Sequence, residues 1–104
     1  MNHVNLIGKI TSEPKVVLLQ NGQKIAQFSM STQESYLDAA GNLKNRKQWH
    51  QISAWGNWVN VLEQLGTVGL KLAVEGKLTS RFYQTKAGER KVVTEVEVND
   101  LVVL

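Results

Sequence analysis

The sequence predicts an all-β barrel of five strands with one short helix between the third and fourth, built as a single domain over residues 1–104. Three observations predict it. Apolar residues alternate with a period of two through most of the chain, which is strand spacing. The period lengthens to 3.6 only once, just after Trp55. Turn signals at Asn21-Gly22, Gly41-Asn42 and Lys86-Ala87-Gly88-Glu89 divide the alternating runs. An antiparallel sheet of this size has two unpaired edges, and closing it into a barrel removes both. An open sheet packed on one helix is the second choice.

The first run, HVNLIGKI (3–10), sets Val4, Leu6, Gly8 and Ile10 against His3, Asn5, Ile7 and Lys9, with Gly8 allowing a bulge or a tight bend. Pro14 closes the entry to KVVLLQ, which Asn21-Gly22 joins in a hairpin to QKIAQFSMST. There Ala26, Phe28 and Met30 share a dry face, while Gln27, Ser29 and Ser31 share a wet one. Residues 36–48, YLDAAGNLKNRKQ, form a basic loop or a long hairpin tip carrying Lys44, Arg46 and Lys47. The strand KQWHQISAW follows. Asn57 then caps a helix whose stripe is Trp58, Val61, Leu62 and Leu65, stopped by Gly66. In LKLAVEGKLTSRFYQ, alternation places Leu70, Leu72, Val74, Leu78 and Phe82 inside and Lys71, Lys77, Arg81 and Tyr83 outside. The last strand, RKVVTEVEV, has Val92, Val96 and Val98 on one side. This order makes the fold class an OB-fold Greek-key barrel, the oligonucleotide/oligosaccharide-binding type.

Twelve Lys and Arg against nine Asp and Glu give a formal charge of +3 and suit a polyanionic partner. There is no cysteine, hence no disulfide framework and no thiolate metal site, which fits a reducing cytoplasm. Met1 leads almost at once into VNLIGKI, with no basic leader, apolar core or cleavage site, and no apolar run reaches spanning length, so neither secretion nor membrane embedding is expected. The chain offers an enzyme little. His3 and His50 fall in different strands, Glu34, Asp38 and Glu63 are scattered, and no Gly-rich phosphate loop occurs. We therefore expect no catalytic residues, no cofactor and no metal.

The stretch QWHQISAWGNW (48–58) holds all three tryptophans of the chain. Alternation puts Lys47, Trp49, Gln51, Ser53 and Trp55 on one face and His50, Ile52 and Ala54 on the aliphatic, core-side face. Trp49 and Trp55 are then outward, roughly 20 Å apart at about 3.3 Å per residue, while Trp58 belongs to the helix stripe and the core. Tyr83 is outward too. Strict alternation from Phe28 and Met30 carries Tyr36 to the core side unless a bulge intervenes. Any one outward ring serves cross-strand packing or a subunit contact as readily as a ligand. Several such rings interleaved with Lys47, Lys77 and Arg81 are what binding a single strand requires, since each base offers a π-face and each nucleotide a phosphate. Lys9 shares the outward face of its own strand.

The order NHVNLIGKITSEPKV, NGQKIAQFSMSTQESY, QWHQISAWG, helix, VEGKL and TEVEV resembles a bacterial single-stranded DNA-binding protein over essentially the whole chain. The distinctive pieces are Gly8 followed by Pro14, Asn21-Gly22, Trp49-His50, Trp55-Gly56 and Glu75-Gly76-Lys77-Leu78. The resemblance implies that Trp49, Trp55, Tyr36 and Tyr83 stack on bases of single-stranded DNA. It also implies a homotetramer with His50 near the subunit contact, and work in replication, recombination and repair in the nucleoid-associated cytoplasm. Lys9, Lys77 and Arg81 are expected to meet phosphates, and Lys44, Arg46 and Lys47 to grip DNA from the loop. The chain departs from the family at two places. The family usually continues into a Gly-, Pro- and Gln-rich tail with acidic residues that recruits replication and repair proteins, whereas Leu104 follows just after the barrel. Either the tail has been removed or this is a short paralogue with different recruiting ability. Asn57 and Trp58 stand where the family often has a cation and an aliphatic residue, so DNA contact beside the helix is expected to be weaker. A replication-restart protein using the barrel mainly for protein contacts, and RNA binding, remain the competing functions.

Overall fold

A computed structural model describes all residues, 1–104. The elements run β1 (Val4–Ile10), β2 (Lys15–Leu18), β3 (Lys24–Leu37), β4 (Leu43–Trp55), α1 (Asn57–Leu65), β5 (Lys71–Gln84) and β6 (Arg90–Val103). The sheet order is β1-β5-β6-β4-β3-β2, and β1 also pairs with β3 through Lys9↔Ser31 and Ile10↔Met30, which closes five strands into a barrel. One contact around the barrel, β4 with β6, is parallel, through Ile52↔Val96 and Ser53↔Glu97. Short β2 lies outside the closed ring, paired only with β3. The fold is the OB-type barrel that the alternation predicts, with α1 inserted between the third and fourth barrel strands.

Closure depends on Gly8. A Cβ there would be driven into the backbone carbonyl of Ser31 on β3, where the two strands cross. The bend anticipated at Gly8 is therefore a crossing point of two backbones. Gly8→Ala is expected to lower the unfolding free energy by about 1–3 kcal/mol or more, because backbone has to move to admit the methyl. Gly41→Ala, at φ 82 with nothing within 4 Å, is expected to cost about 1–2 kcal/mol from its left-handed conformation alone. Urea midpoints of the two variants check the order.

All three hairpins turn in the same way. The N–H of residue 19, 38 or 85 donates to the carbonyl four residues on, and the glycine at 22, 41 or 88 donates back to it. Each glycine has positive φ and no other residue type does. Asn21-Gly22 therefore does not form the two-residue primed turn that its sequence favours, which needs positive φ at both positions. It ends a three-residue loop with a glycine bulge.

The core is one cluster that includes Ile10, Phe28, Met30, Ile52, Leu62, Leu72 and Val96. Val59 and Leu62 are the buried residues of α1, Trp58 packs partly buried against the cluster, and Leu65 is exposed, so the helix face is rotated from the expected stripe. Gly56, not Asn57, occupies the N-cap, with φ 63 and no side-chain cap bond. On β6, Asn99 is left unpaired where Glu75↔Asp100 gives way to Gly76↔Val98. This bulge moves the inward phase from Val96 and Val98 to Leu101.

β3 and β4 keep one register from Ile25↔Trp55 to Leu37↔Leu43, and β5 pairs with β6 as far as Gln84↔Arg90, so both hairpins outrun the barrel as two-stranded arms. The radius of gyration, 15.7 Å, exceeds the ~13 Å of a compact domain of this length because of them. Leu78 and Phe82, expected inside, lie on the β5–β6 arm and are exposed, Phe82 by 61%. They do face the core-side direction, but beyond the barrel no opposite wall covers that side.

Candidate nucleic-acid interface

The outward face is built row by row from the pairing register. Lys71 on β5 pairs with Lys9 on β1, Lys9 with Ser31 on β3, and Ser31 with Trp49 on β4. In the next row Gln33 opposes Lys47. Lys9, Lys47 and Lys71 thus line one open groove with Ser31 and Gln33. Trp49 stands beside it, 64% exposed. Alternation identified every outward member of this row, but it treated Lys71 only as a surface residue. The signal that singles it out is its cross-strand pairing with Lys9, which a single strand does not display.

Further along β4, Gln51 donates from Nε2 to the Ser29 hydroxyl at 3.0 Å. It shares a shallow groove with Gln27, Arg81, Tyr83, Val93 and Glu95, so Arg81 and Tyr83 of the second arm come to the same surface as the Trp49 strand. Arg81 Nε donates to Glu95 Oε1 at 3.3 Å, and the Glu95 side chain is almost wholly buried. The carboxylate orients the guanidinium but also offsets part of its charge. Ser53, on the outward side by alternation, is 2% exposed. Its hydroxymethyl is short and lies between Gln27 and Glu97 on the flanking strands.

Trp55 is half-buried at the helix end of the barrel, in a cleft with Gln23, Lys24, Gly56, Val59 and Asn60. It is on Trp49's side of β4, as alternation requires, but it presents only part of its ring. Tyr36 is exposed, not enclosed, although no bulge interrupts β3. It sits on the β3–β4 arm with the Arg46 guanidinium carbon 4.8 Å from its ring centroid, and Arg46 also pairs with Glu34 at 3.7 Å. Residues paired in register share a face, so Tyr36, Lys44 and Arg46 are on one side of the arm while Lys47 and Trp49 are on the other. The basic segment 44–47 therefore offers cations to both sides.

Only two ion pairs form in the chain, Arg46–Glu34 and Arg81–Glu95, so Lys9, Lys44, Lys47 and Lys77 carry unpaired charge; Lys77 is exposed opposite Glu97. His50 is half-buried, with Nε2 2.9 Å from the Thr32 hydroxyl. No group of three or more His, Asp and Glu side chains converges as metal ligands would. No helix is long and apolar enough to cross a membrane.

Comparison with known proteins places the chain in a family. The chain matches the single-strand binding protein family over residues 1–104. It is 33% identical to single-stranded DNA-binding protein 1 of Chlorobaculum tepidum, covering 100% of this chain and 65% of that protein. It is 30% identical to the single-stranded DNA-binding protein of Neisseria meningitidis serogroup A, covering 100% of this chain and 60% of the relative. The chain thus spans roughly three-fifths to two-thirds of these relatives. Among solved structures, a Plasmodium falciparum SSB complex with ssDNA superposes with a TM-score of 0.87 at 32% identity, over 100% of this chain and 95% of that one. A deletion mutant of the single-stranded DNA binding protein from Thermus aquaticus gives 0.86 at 25%, over 100% and 50%. The family model matches the whole chain and the barrel superposes on solved structures of this kind, so the chain belongs to the single-strand binding protein family.

Proposed function

We propose that this chain binds single-stranded DNA with little sequence preference, without catalysis and without a cofactor. Bases stack on Trp49, Trp55, Tyr83 and Tyr36, and phosphates are held by Lys9, Lys47, Lys71, Lys77 and Arg81, with Lys44 and Arg46 contributing on the far side of the first arm. The observation that carries this is the row Lys71–Lys9–Ser31–Trp49, where a largely exposed indole adjoins unpaired lysines on one continuous wall. Stacking and phosphate contact are the two interactions that hold any strand regardless of its bases. Membership of the family, and a similar fold described in complex with ssDNA, support the same reading.

The proposal extends to a homotetramer with His50 near a subunit contact, acting in replication, recombination and repair in the nucleoid-associated cytoplasm. Exposed Ile7 and Val102 support assembly, since apolar side chains on a barrel wall gain by being covered. Fluorescence anisotropy with an oligo-dT strand, the matched RNA and a duplex of equal length tests the ligand. The DNA single strand is expected to bind well ahead of the duplex, with log affinity falling against log salt by about 0.7 per phosphate contact. Equal affinity for duplex would overturn it, and stronger binding of RNA would reassign the ligand. Sedimentation equilibrium is expected to return four chains; a monomer mass would remove the tetramer and the role of His50.

A further inference from the structure

We propose that Phe82 and Arg90 form an additional single-strand site on the β5–β6 arm, taking one base on the open face of the phenyl ring and the adjoining phosphate on the guanidinium. This rests on the single-strand reading above and adds a site to it.

Phe82 is the most exposed aromatic after Trp49. Holding a phenyl ring in water is unfavourable, and on a two-stranded arm no other part of the chain covers it. The guanidinium carbon of Arg90 lies 4.4 Å from the ring centroid. A cation over one π-face steadies the ring and leaves the other face free. Tyr36 and Arg46 repeat the arrangement on the first arm. In both, the arginine comes from the partner strand, two positions along from the residue directly opposite, which is Lys44 for Tyr36 and Val92 for Phe82.

Successive residues of a strand point to opposite faces, so Phe82 and Tyr83 put one ring on each side of the arm. Phe82, Tyr83, Gln84 and Arg90 nonetheless line one shallow groove, which runs around the arm's edge. A strand that has stacked on Tyr83 beside Arg81 reaches Phe82 through that groove. Leu78 and Val92 are exposed on the Phe82 face as well, which would suit an apolar partner, but the arginine over the ring favours a polyanion.

Wild type, Phe82→Ala, Phe82→Trp and Arg90→Ala are titrated with oligo-dT, reading anisotropy, tryptophan emission and sedimentation. Phe82→Ala is expected to weaken binding roughly 5- to 150-fold. Phe82→Trp keeps the affinity and shows additional DNA-dependent quenching, because its indole takes the stacking position. Arg90→Ala lowers the salt slope by about 0.7. Wild-type affinity in Phe82→Ala, or a changed assembly mass with unchanged affinity, would overturn this site while leaving the parent reading intact. Should Phe82→Ala fail to fold, the absence of extra quenching in Phe82→Trp would overturn it instead. Failure of wild type to bind oligo-dT would remove the parent reading.

Discussion

The double variant Trp49→Ala/Trp55→Ala is expected to bind single-stranded DNA about 2–6 kcal/mol more weakly than wild type, at about 1–3 kcal/mol per lost stacking platform. The two positions are not equivalent in the folded chain. Trp49 projects from β4 with 64% of its surface exposed, so its removal takes little from the core and should leave the urea midpoint unchanged. Trp55 is half-buried beside Val59 in the cleft at the helix end. Its truncation is expected to cost on the order of 1–2 kcal/mol of stability, below the 3–5 kcal/mol of a fully buried aromatic. Anisotropy titrations of the two singles and the double, each with its own denaturation curve, separate binding from folding. Equal loss of stability in both singles would mean that the indoles are packing groups.

Removing the lysine groove is expected to produce the other large effect. The triple variant Lys9→Ala/Lys47→Ala/Lys71→Ala should flatten the dependence of log affinity on log salt by about 2, at about 0.7 per released phosphate contact. The weakening should be greatest at low salt and shrink as salt rises, since these contacts act by releasing counterions. Folding should be spared, because all three ammonium groups are exposed and none forms an ion pair. Affinity measured from low to high salt checks this. A uniform loss at every salt concentration, with the slope unchanged, would show that the lysines do not meet phosphates.

Alternation in the sequence was sufficient to assign sides and insufficient to assign depth. It placed Ala26, Phe28, Met30, Ile52, Leu72 and Val74 inward and Lys9, Lys47, Trp49 and Tyr83 outward, because in a strand the side follows from spacing alone. Whether an inward residue is covered depends on what stands opposite, and that is a property of closure. Inside the barrel Phe28 meets other walls; on the arms Phe82, Leu78 and Tyr36 meet water. The same dependence on neighbours buries Ser53 on the outer face and half-buries Trp55. Local signals failed where a backbone alternative existed. Gly56 takes the cap position assigned to Asn57, and Asn21-Gly22 enters a three-residue loop, the hairpin geometry also used at 38–42 and 85–89. The lysine row was illegible because its members come from β1, β4 and β5, which the chain brings together only on closing.

The most direct measurement of the stacking claim is tryptophan emission during titration with oligo-dT at low salt, followed by addition of salt to the saturated complex. Stacked indoles at positions 49 and 55 require strong quenching that saturates with DNA and reverses as salt displaces the strand. Emission that stays constant while anisotropy reports full binding would place the DNA away from both rings and contradict the account.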